Sequence, residues 1–265
     1  ITGLFENCSL INNQGMHPSF PERQHDNRRE KEFSNLLNFG GFPEPFTRKD
    51  PVVLRRFHNE RLDRLVKEDI RDIEPIRDLS ALQVLVEILP EKVGSLLSLN
   101  SLTEDLRVTH KTVALWMDVL ERFYYHYRLY PFASTAIRSL RKEPKMYLWD
   151  WSQVENEAAR FENLVASHLL KLTHYLRDSQ GHKAELFFLR DTDGREVDFL
   201  IAVGRKPWLA VEAKLAADEN SMPLRYFARR LKIPFAYQVV RESGQDYLKD
   251  GIRLISADKF LGALV

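Results

Sequence analysis

The sequence predicts a mixed α/β chain: a helical region with a winged-helix outline, followed by a domain of element order αβββαβ. Three observations carry this. Between Leu54 and Leu120 apolar residues recur at helical spacing, interrupted by Pro75 and by polar capping residues. From Glu185 to Lys214, ELFFLRDTDGREVDFLIAVGRKPWLAVEAK, short apolar runs alternate with two turn signals, Asp191-Thr192-Asp193-Gly194 and Gly204-Arg205-Lys206-Pro207. An amphipathic helix over Val154–Leu176 precedes these three strands, and another over Met222–Leu231 leads into a fourth, Pro234–Val240. The expected divisions are a loose leading segment (1–35), a helical linker (36–78), a winged helix-turn-helix (79–150) and the αβββαβ domain (151–265).

Taken in order, Phe33–Phe46 reads as a short helix stopped by Gly40-Gly41 and then Pro43 and Pro45. A charged amphipathic helix follows over Val52–Ile73, and a more apolar one over Leu79–Val93. Ser101 with Glu104 forms the signature of a capping box, and Thr109 can cap a second helix that carries Val113, Trp116, Met117 and Leu120 on its core face. Two short helices so joined describe a helix-turn-helix whose second helix offers His110, Lys111 and Thr112 near its start, where such helices meet base edges. Two strands, Phe123–Phe132 and Lys145–Trp149, complete the wing, and their connection holds Arg138, Arg141 and Lys142. The charges from Ser101 to Arg128 balance to zero, however, where a strong DNA reader carries a positive excess. Contact with DNA and packing against a partner domain both remain open for this module.

Composition narrows the classes. Of 265 residues 44% are hydrophobic, including 16 Phe, 9 Tyr and 4 Trp, ample for a buried core. The net charge of +1 gives no overall polycationic pull, so any nucleic-acid footprint must be local. A single cysteine, Cys8, rules out an intrachain disulfide and a Cys-rich zinc site. No apolar run is long enough to span a bilayer, so the expectation is a soluble, cytoplasmic protein with no membrane partner. The chain starts at Ile1 and its first 30 residues are rich in Asn, Gln, His, Pro and charge, which reads as a piece of a longer protein. No G-x-x-x-x-G-K-[ST] phosphate loop occurs, so this chain is not expected to hydrolyse ATP alone.

The chemistry concentrates in the three strands. Asp198 lies in the apolar run Val197–Ile201, and Glu212 and Lys214 in Ala210–Leu215. If Gly204, Arg205 and Lys206 form the loop, Val203 pairs with Pro207 and Asp198 stands opposite Glu212, with Cβ atoms about 5 Å apart. Carboxylates that close must be protonated, neutralised by Lys214, or bridged by a divalent cation, and paired carboxylates suit Mg²⁺ or Mn²⁺. The plainer alternative is a solvated hairpin face with ordinary surface charges. On the preceding helix, Glu162 lies at the edge of the apolar stripe and can point inward, although a solvated glutamate is the simpler reading. His168, on that stripe, reads as a hydrogen-bonded core histidine.

The order αβββαβ with Asp198, thirteen intervening residues, Glu212-x-Lys214, and Glu162 on the preceding helix resembles the PD-(D/E)XK nuclease superfamily, with its restriction-endonuclease-like fold. A likeness covering nearly the whole chain rests on LLNFGGFPEPF (Leu36–Phe46), the helix-turn-helix, EPKMY (Glu143–Tyr147), FENLV (Phe161–Val165) and RDTDGREVDF (Arg190–Phe199). These look like the C-terminal half of a prokaryotic AAA-type ATPase family, in which an ATPase core precedes a winged helix and a nuclease-like domain of unknown function.

The resemblance implies that Glu162, Asp198, Glu212 and Lys214 are catalytic. Mg²⁺ or Mn²⁺ would be held by Asp198, Glu212, the Ala213 carbonyl and Glu162, directly or through water. Lys214 would orient the attacking water or stabilise the phosphate, Arg190 or Arg195 would hold the nucleic-acid backbone, and Gln238 would support the site. The implied partners are nucleic acid, DNA first, and the chain's own ATPase domain, through which alone ATP would enter; assembly into an oligomer is compatible with this. Two functional classes stay open: a metal-dependent nucleic-acid phosphodiesterase, and a non-catalytic DNA-binding or regulatory half of an ATPase. A protein-interaction module is the third.

Overall fold

Proline sets the helix starts in the front of the chain. In a computed structural model, which describes residues 11–12, 15–16, 27–70, 78–133, 142–218 and 221–264, helix α1 spans Asn27–Phe39, starting within the segment expected to be loose. Gly40 then takes φ +76°, and its N–H closes on the Leu36 carbonyl at 3.0 Å. Pro43 and Pro45, expected as breakers, instead open α2 (Pro43–Arg48), because a proline in the first helical turn forfeits no intrahelical hydrogen bond. Helix α3 (Pro51–Arg64) starts the same way, with the Asp50 carboxylate accepting from the Val52 N–H at 2.7 Å, and runs on as a π-helical turn over Leu65–Ile70. Two-residue strands β1 (Ile11–Asn12) and β2 (Gly15–Met16) form a small antiparallel ribbon.

The chain divides into two compact units, one of Ser34–Leu129 with Leu140–Asn163, the other of Ile1–Phe33, Tyr130–Ser139 and Leu164–Val265. The first unit is largely helical and takes in the expected linker with most of the region expected as a winged helix. Its α4 (Leu79–Ile88) is capped by Asp78 and tightens into a 3₁₀ turn over Leu89–Lys92, at Pro90. Helices α5 (Leu99–Leu106) and α6 (His110–Arg122) are the helix-turn-helix. The α5 cap is Ser98, whose hydroxyl accepts from the Ser101 N–H, so Ser101 lies inside the helix rather than before it. Thr109 does cap α6, and Val113, Trp116, Met117 and Leu120 are buried as the spacing requires. Strands β3 (His126–Leu129) and β4 (Lys145–Leu148) pair antiparallel where the wing was expected. The second half of their connection includes Lys142, which is exposed; Arg138 and Arg141 lie outside the described residues.

Helix α7 (Glu157–Asp178) leads into a six-stranded sheet of β5 (Ala184–Arg190), β6 (Glu196–Val203), β7 (Lys206–Lys214), β8 (Phe235–Val240), β9 (Asp246–Lys249) and β10 (Ile252–Ser256), ordered β5-β6-β7-β8-β10-β9. Helix α8 (Met222–Arg230) links β7 to β8, which run parallel, and α9 (Ala257–Leu261) closes the chain. The sheet unit is thus mixed α/β, with the αβββαβ order extended by one hairpin. That hairpin was legible: Asp250 and Gly251 take φ 51° and 81°, the two positive values a tight two-residue turn demands, and Asp-Gly is its commonest signal. One face of the sheet meets α8 through Phe187, Leu189, Val197, Leu200, Ala210 and Ala236 against Leu224 and Phe227. At roughly 1.5–3 kcal/mol for each large apolar side chain enclosed, this packing fixes α8 on the sheet.

Candidate active site on the sheet

Two bulges set the register where the acidic residues lie. Between β6 and β7 the turn is Gly204-Arg205, with φ 55° and 65°, so Val203 pairs with Lys206 rather than with Pro207. The register then shifts by one residue at Trp208, and from Ile201↔Leu209 to Phe199↔Val211 it is the pairing the sequence suggests. A shorter turn and a bulge together reproduce the effect of the longer turn. A second bulge, between β5 and β6, sets Asp198 and Phe199 against Phe188 alone. It explains why Val197 and Leu200, three apart, lie in the same apolar cluster, and it frees Asp198 from strict alternation.

The Asp198 carboxylate turns across to β7 and accepts from the Ala213 N–H at 2.9 Å. The phase of β7 supports this. The Lys214 carbonyl accepts from the Arg241 N–H on the β8 side at 3.0 Å, so the main-chain groups of Ala213, one residue earlier, face β6. The Ala213 carbonyl therefore faces the same side as the Asp198 carboxylate.

Glu212 pairs in register with Gln238 of β8 and is 5% exposed. Its carboxylate accepts from the Ser221 hydroxyl and from the Gln238 amide at 3.3 Å, and stands 3.6 Å from the Lys214 ammonium. Gln238 also fixes the loop before α8: its amide oxygen accepts from the Asp218 N–H and its amide nitrogen donates to the Asp218 carbonyl, both at 2.8 Å. Gln238 thus links Glu212 to the loop before α8. Sequence reasoning missed Ser221. It precedes Met222-Pro223 at the start of α8, and a serine just before a helix-opening proline was an available signal.

Glu162 lies in α7 within the helical unit, where its carboxylate accepts from the Tyr147 hydroxyl at 2.8 Å and from the Lys145 ammonium at 3.4 Å. Lys145 is itself 3% exposed, so this is an enclosed ion pair. Gly94 gives it room: at φ +75°, a Cβ there would stand 3.1 Å from the Glu162 carboxylate. Among the described residues, no group of three or more His, Cys, Asp and Glu side chains is arranged to hold a metal ion. Asp198 meets the Ala213 main chain, one residue along β7 from Glu212.

The expected nucleic-acid contacts fall in two places. In the helical unit His110 and Lys111 are exposed at the start of α6, while the Thr112 hydroxyl is engaged with that of Thr109 at 2.8 Å. Arg128 is held by Asp118 at 2.6 Å and by Glu121 at 2.8 Å, so it adds no available positive charge. In the sheet unit Arg190 pairs with Glu196 at 2.7 Å. Arg195 is clasped by Asp191 at 2.7 Å and by Asp193, and its guanidinium stacks 4.1 Å from the Tyr226 ring centroid. His168 behaves as a core histidine: its Nδ1 meets the Leu164 carbonyl at 2.8 Å, and burial lowers its pKa, keeping it neutral.

Comparison with known family models matches two stretches of the chain. Residues 30–156 match the model of a domain of unknown function (DUF8612), and residues 158–260 match that of another domain of unknown function (DUF4143). No curated protein and no solved structure matches the chain. No helix among the described residues is long and apolar enough to cross a membrane.

Proposed function

We propose that the sheet unit is a divalent-metal-dependent phosphodiesterase acting on nucleic acid, DNA first, with a PD-(D/E)XK-like site, and that the chain serves as the C-terminal half of an AAA-type ATPase. The observation carrying this reading is the Asp198–Ala213–Glu212 arrangement. One carboxylate is turned by a bulge onto the main chain beside a second, buried carboxylate, with a lysine 3.6 Å from the latter. The family matched by residues 158–260 is commonly found in AAA-ATPase-associated proteins, which supports the ATPase connection.

The donor set fits a hard cation: two carboxylates and a main-chain carbonyl, all oxygen, as Mg²⁺ or Mn²⁺ prefers. Asp198, Glu212 and the Ala213 carbonyl would hold it. Glu162, expected as a further ligand, is engaged by Tyr147 and Lys145 within the helical unit and is not counted in this set. When bound, such an ion polarises the phosphate and acidifies a water molecule. Lys214, 43% exposed, extends to orient that water and to meet the charge gathering on the phosphate. Ser221 and Gln238 keep Glu212 in place, and Arg190 and Arg195 hold the strand. In the helical unit, His110, Lys111 and Lys142 offer a second contact to nucleic acid.

The test is Mg²⁺ or Mn²⁺ titration with supercoiled plasmid and with single-stranded DNA, comparing the parent chain with Asp198→Ala. Metal-dependent cleavage lost in the variant is the expected result; cleavage that persists unchanged would exclude the site. A non-catalytic, DNA-binding half of an ATPase is the second reading. It is favoured by the two donors already on one Glu212 oxygen and by the lack of a third side-chain carboxylate among the described residues. Binding without cleavage in both proteins would select it.

A further inference from the structure

Resting on the nucleic-acid reading above, we propose that Tyr226 organises Arg195 and Arg230 into a clamp for the phosphates of a nucleic-acid strand beside the carboxylates. The Arg195 guanidinium lies 4.1 Å from the Tyr226 ring centroid and that of Arg230 5.7 Å, so one ring carries two cations. The ring is itself anchored: it packs on the apolar cluster beneath α8 and meets Phe227 edge-on at 5.2 Å. Arg195 is fixed from its other side by Asp191 and Asp193, which hold it in the turn just before β6.

Position ties the clamp to the site. Arg195 precedes Asp198 by three residues, and α8, which carries Tyr226 and Arg230, starts at the serine that donates to Glu212. Arg195 and Ser221 thus lie toward the end of the sheet that carries Asp198 and Glu212, and α8 runs from there past Tyr226 to Arg230.

The chemistry of the partner follows from what is left unbalanced. Asp191 and Asp193 offset Arg195, and Asp250 pairs with Arg225 at 3.1 Å. Arg229, Arg230 and Lys232, by contrast, have no ion pair among the described residues. The Arg230 guanidinium, against the aromatic ring, keeps its N–H edge for in-plane, bidentate donation, which matches phosphate oxygens, whereas Arg195, with Nε and Nη2 donated to Asp191 and Asp193, has only its remaining N–H groups to offer. A chain of phosphates supplies the regularly spaced negative charge that such a ridge requires. Tyr226 is here a positioning residue, acting through the two arginines.

The experiment measures binding of the full 265-residue chain to a fluorescein-labelled 20-nucleotide DNA, single-stranded and as a duplex, without divalent metal and over a range of salt. Arg230→Ala is expected to weaken binding about tenfold at low salt and to lower the salt slope by about one phosphate contact. Tyr226→Ala should do at least as much, and Tyr226→Phe, which keeps the ring, should stay within about twofold of the parent. Arg230 is exposed, so its variant separates lost contact from lost folding. The strand form bound more tightly identifies which source of phosphates the clamp prefers. Parent-like affinity and slope in Arg230→Ala would overturn the proposal, as would a Tyr226→Phe defect equal to that of Tyr226→Ala, or failure of the parent to bind either form. Because no metal is present, these failures are distinct from failure of the cleavage reading, which the Asp198→Ala comparison decides.

Discussion

Asp150 in the helical unit and Glu212 in the sheet unit are both nearly sealed from water, at 1% and 5% exposure, yet they are neutralised in different ways. Asp150 accepts from the Ser152 hydroxyl at 2.5 Å and from Arg61 at 3.3 Å. With its proton directed at Asp150, the Ser152 hydroxyl accepts from the His58 ring at 2.9 Å. Arg61 is held in turn, its guanidinium 4.2 Å from the Phe42 ring centroid, and Gly40 closes over the cluster, where a Cβ would stand 2.9 Å from both Asp150 and Ser152. Glu212 has a lysine that is 43% exposed and free to swing toward solvent. The first arrangement is complete in itself and ties α3 and the Gly40 turn to the segment after β4. The second leaves its countercharge exposed, as the proposed metal site would require. Burial of a carboxylate therefore says little about function until the exposure of its partner is known.

The largest expected effect is on the closed cluster. Asp150→Ala strips the counterion from a three-quarters-buried Arg61 and the acceptor from Ser152, a loss in the range of 3–5 kcal/mol for breaking an enclosed pair. Urea unfolding would measure it, and a loss below about 1 kcal/mol would break the contrast between the two carboxylates.

Second in size is a pH effect, also in the helical unit. Burial pushes the fully enclosed His126 down to about 4, while its Nε2 meets the Met117 carbonyl at 2.9 Å and its Nδ1 has no hydrogen-bond partner among the described residues. Below about pH 6.5 the unfolded chain takes up a proton that the folded chain refuses, so the unfolded state binds more protons and stability falls with pH. The contribution is fully present above pH 6.5 and is lost as pH drops toward 4, amounting at most to roughly 3 kcal/mol. His126→Gln, which keeps a donor for Met117, should flatten that limb of the stability profile. An unchanged limb would assign the acid sensitivity to other groups, such as His58, whose pKa burial also lowers.

What the sequence revealed divides along similar lines. Glu212 and Lys214 lie two apart on one strand, so their shared face could be read from local rules, whereas the register of Asp198 rests on a two-residue turn offset by a bulge, and Gln238 arrives through the crossover to β8. The bulges at Trp208 and at Asp198-Phe199 could not, because a bulge shows itself only against the neighbouring strand. Ser221 and the Asp250-Gly251 hairpin left visible signals. The Asp150 cluster left none: His58 and Arg61 stand 94 and 89 positions from their partners, and nothing local to a charged amphipathic helix marks which of its residues will be enclosed. Glu162 was placed correctly at the edge of its helix stripe, but the partners it chose, Tyr147 and Lys145, come from the wing.

The smallest effect is the sharpest test of the contrast. Glu212→Gln removes one negative charge while leaving an amide oxygen to accept from Ser221 and Gln238. Lys214 loses its partner but is exposed enough to hydrate, so no charge is stranded in the interior. The desolvation cost of the carboxylate disappears along with its attraction to the lysine, and the two nearly cancel. Stability should therefore change by less than about 1 kcal/mol in either direction, against several for Asp150→Ala, when both are unfolded in urea at the same pH. The same substitution removes a ligand from the proposed metal site, so metal-dependent cleavage should vanish from a protein as stable as its parent. If Glu212→Gln instead costs as much as Asp150→Ala, Glu212 is a structural carboxylate like its counterpart, and the case for a working site in the sheet loses its main physical support.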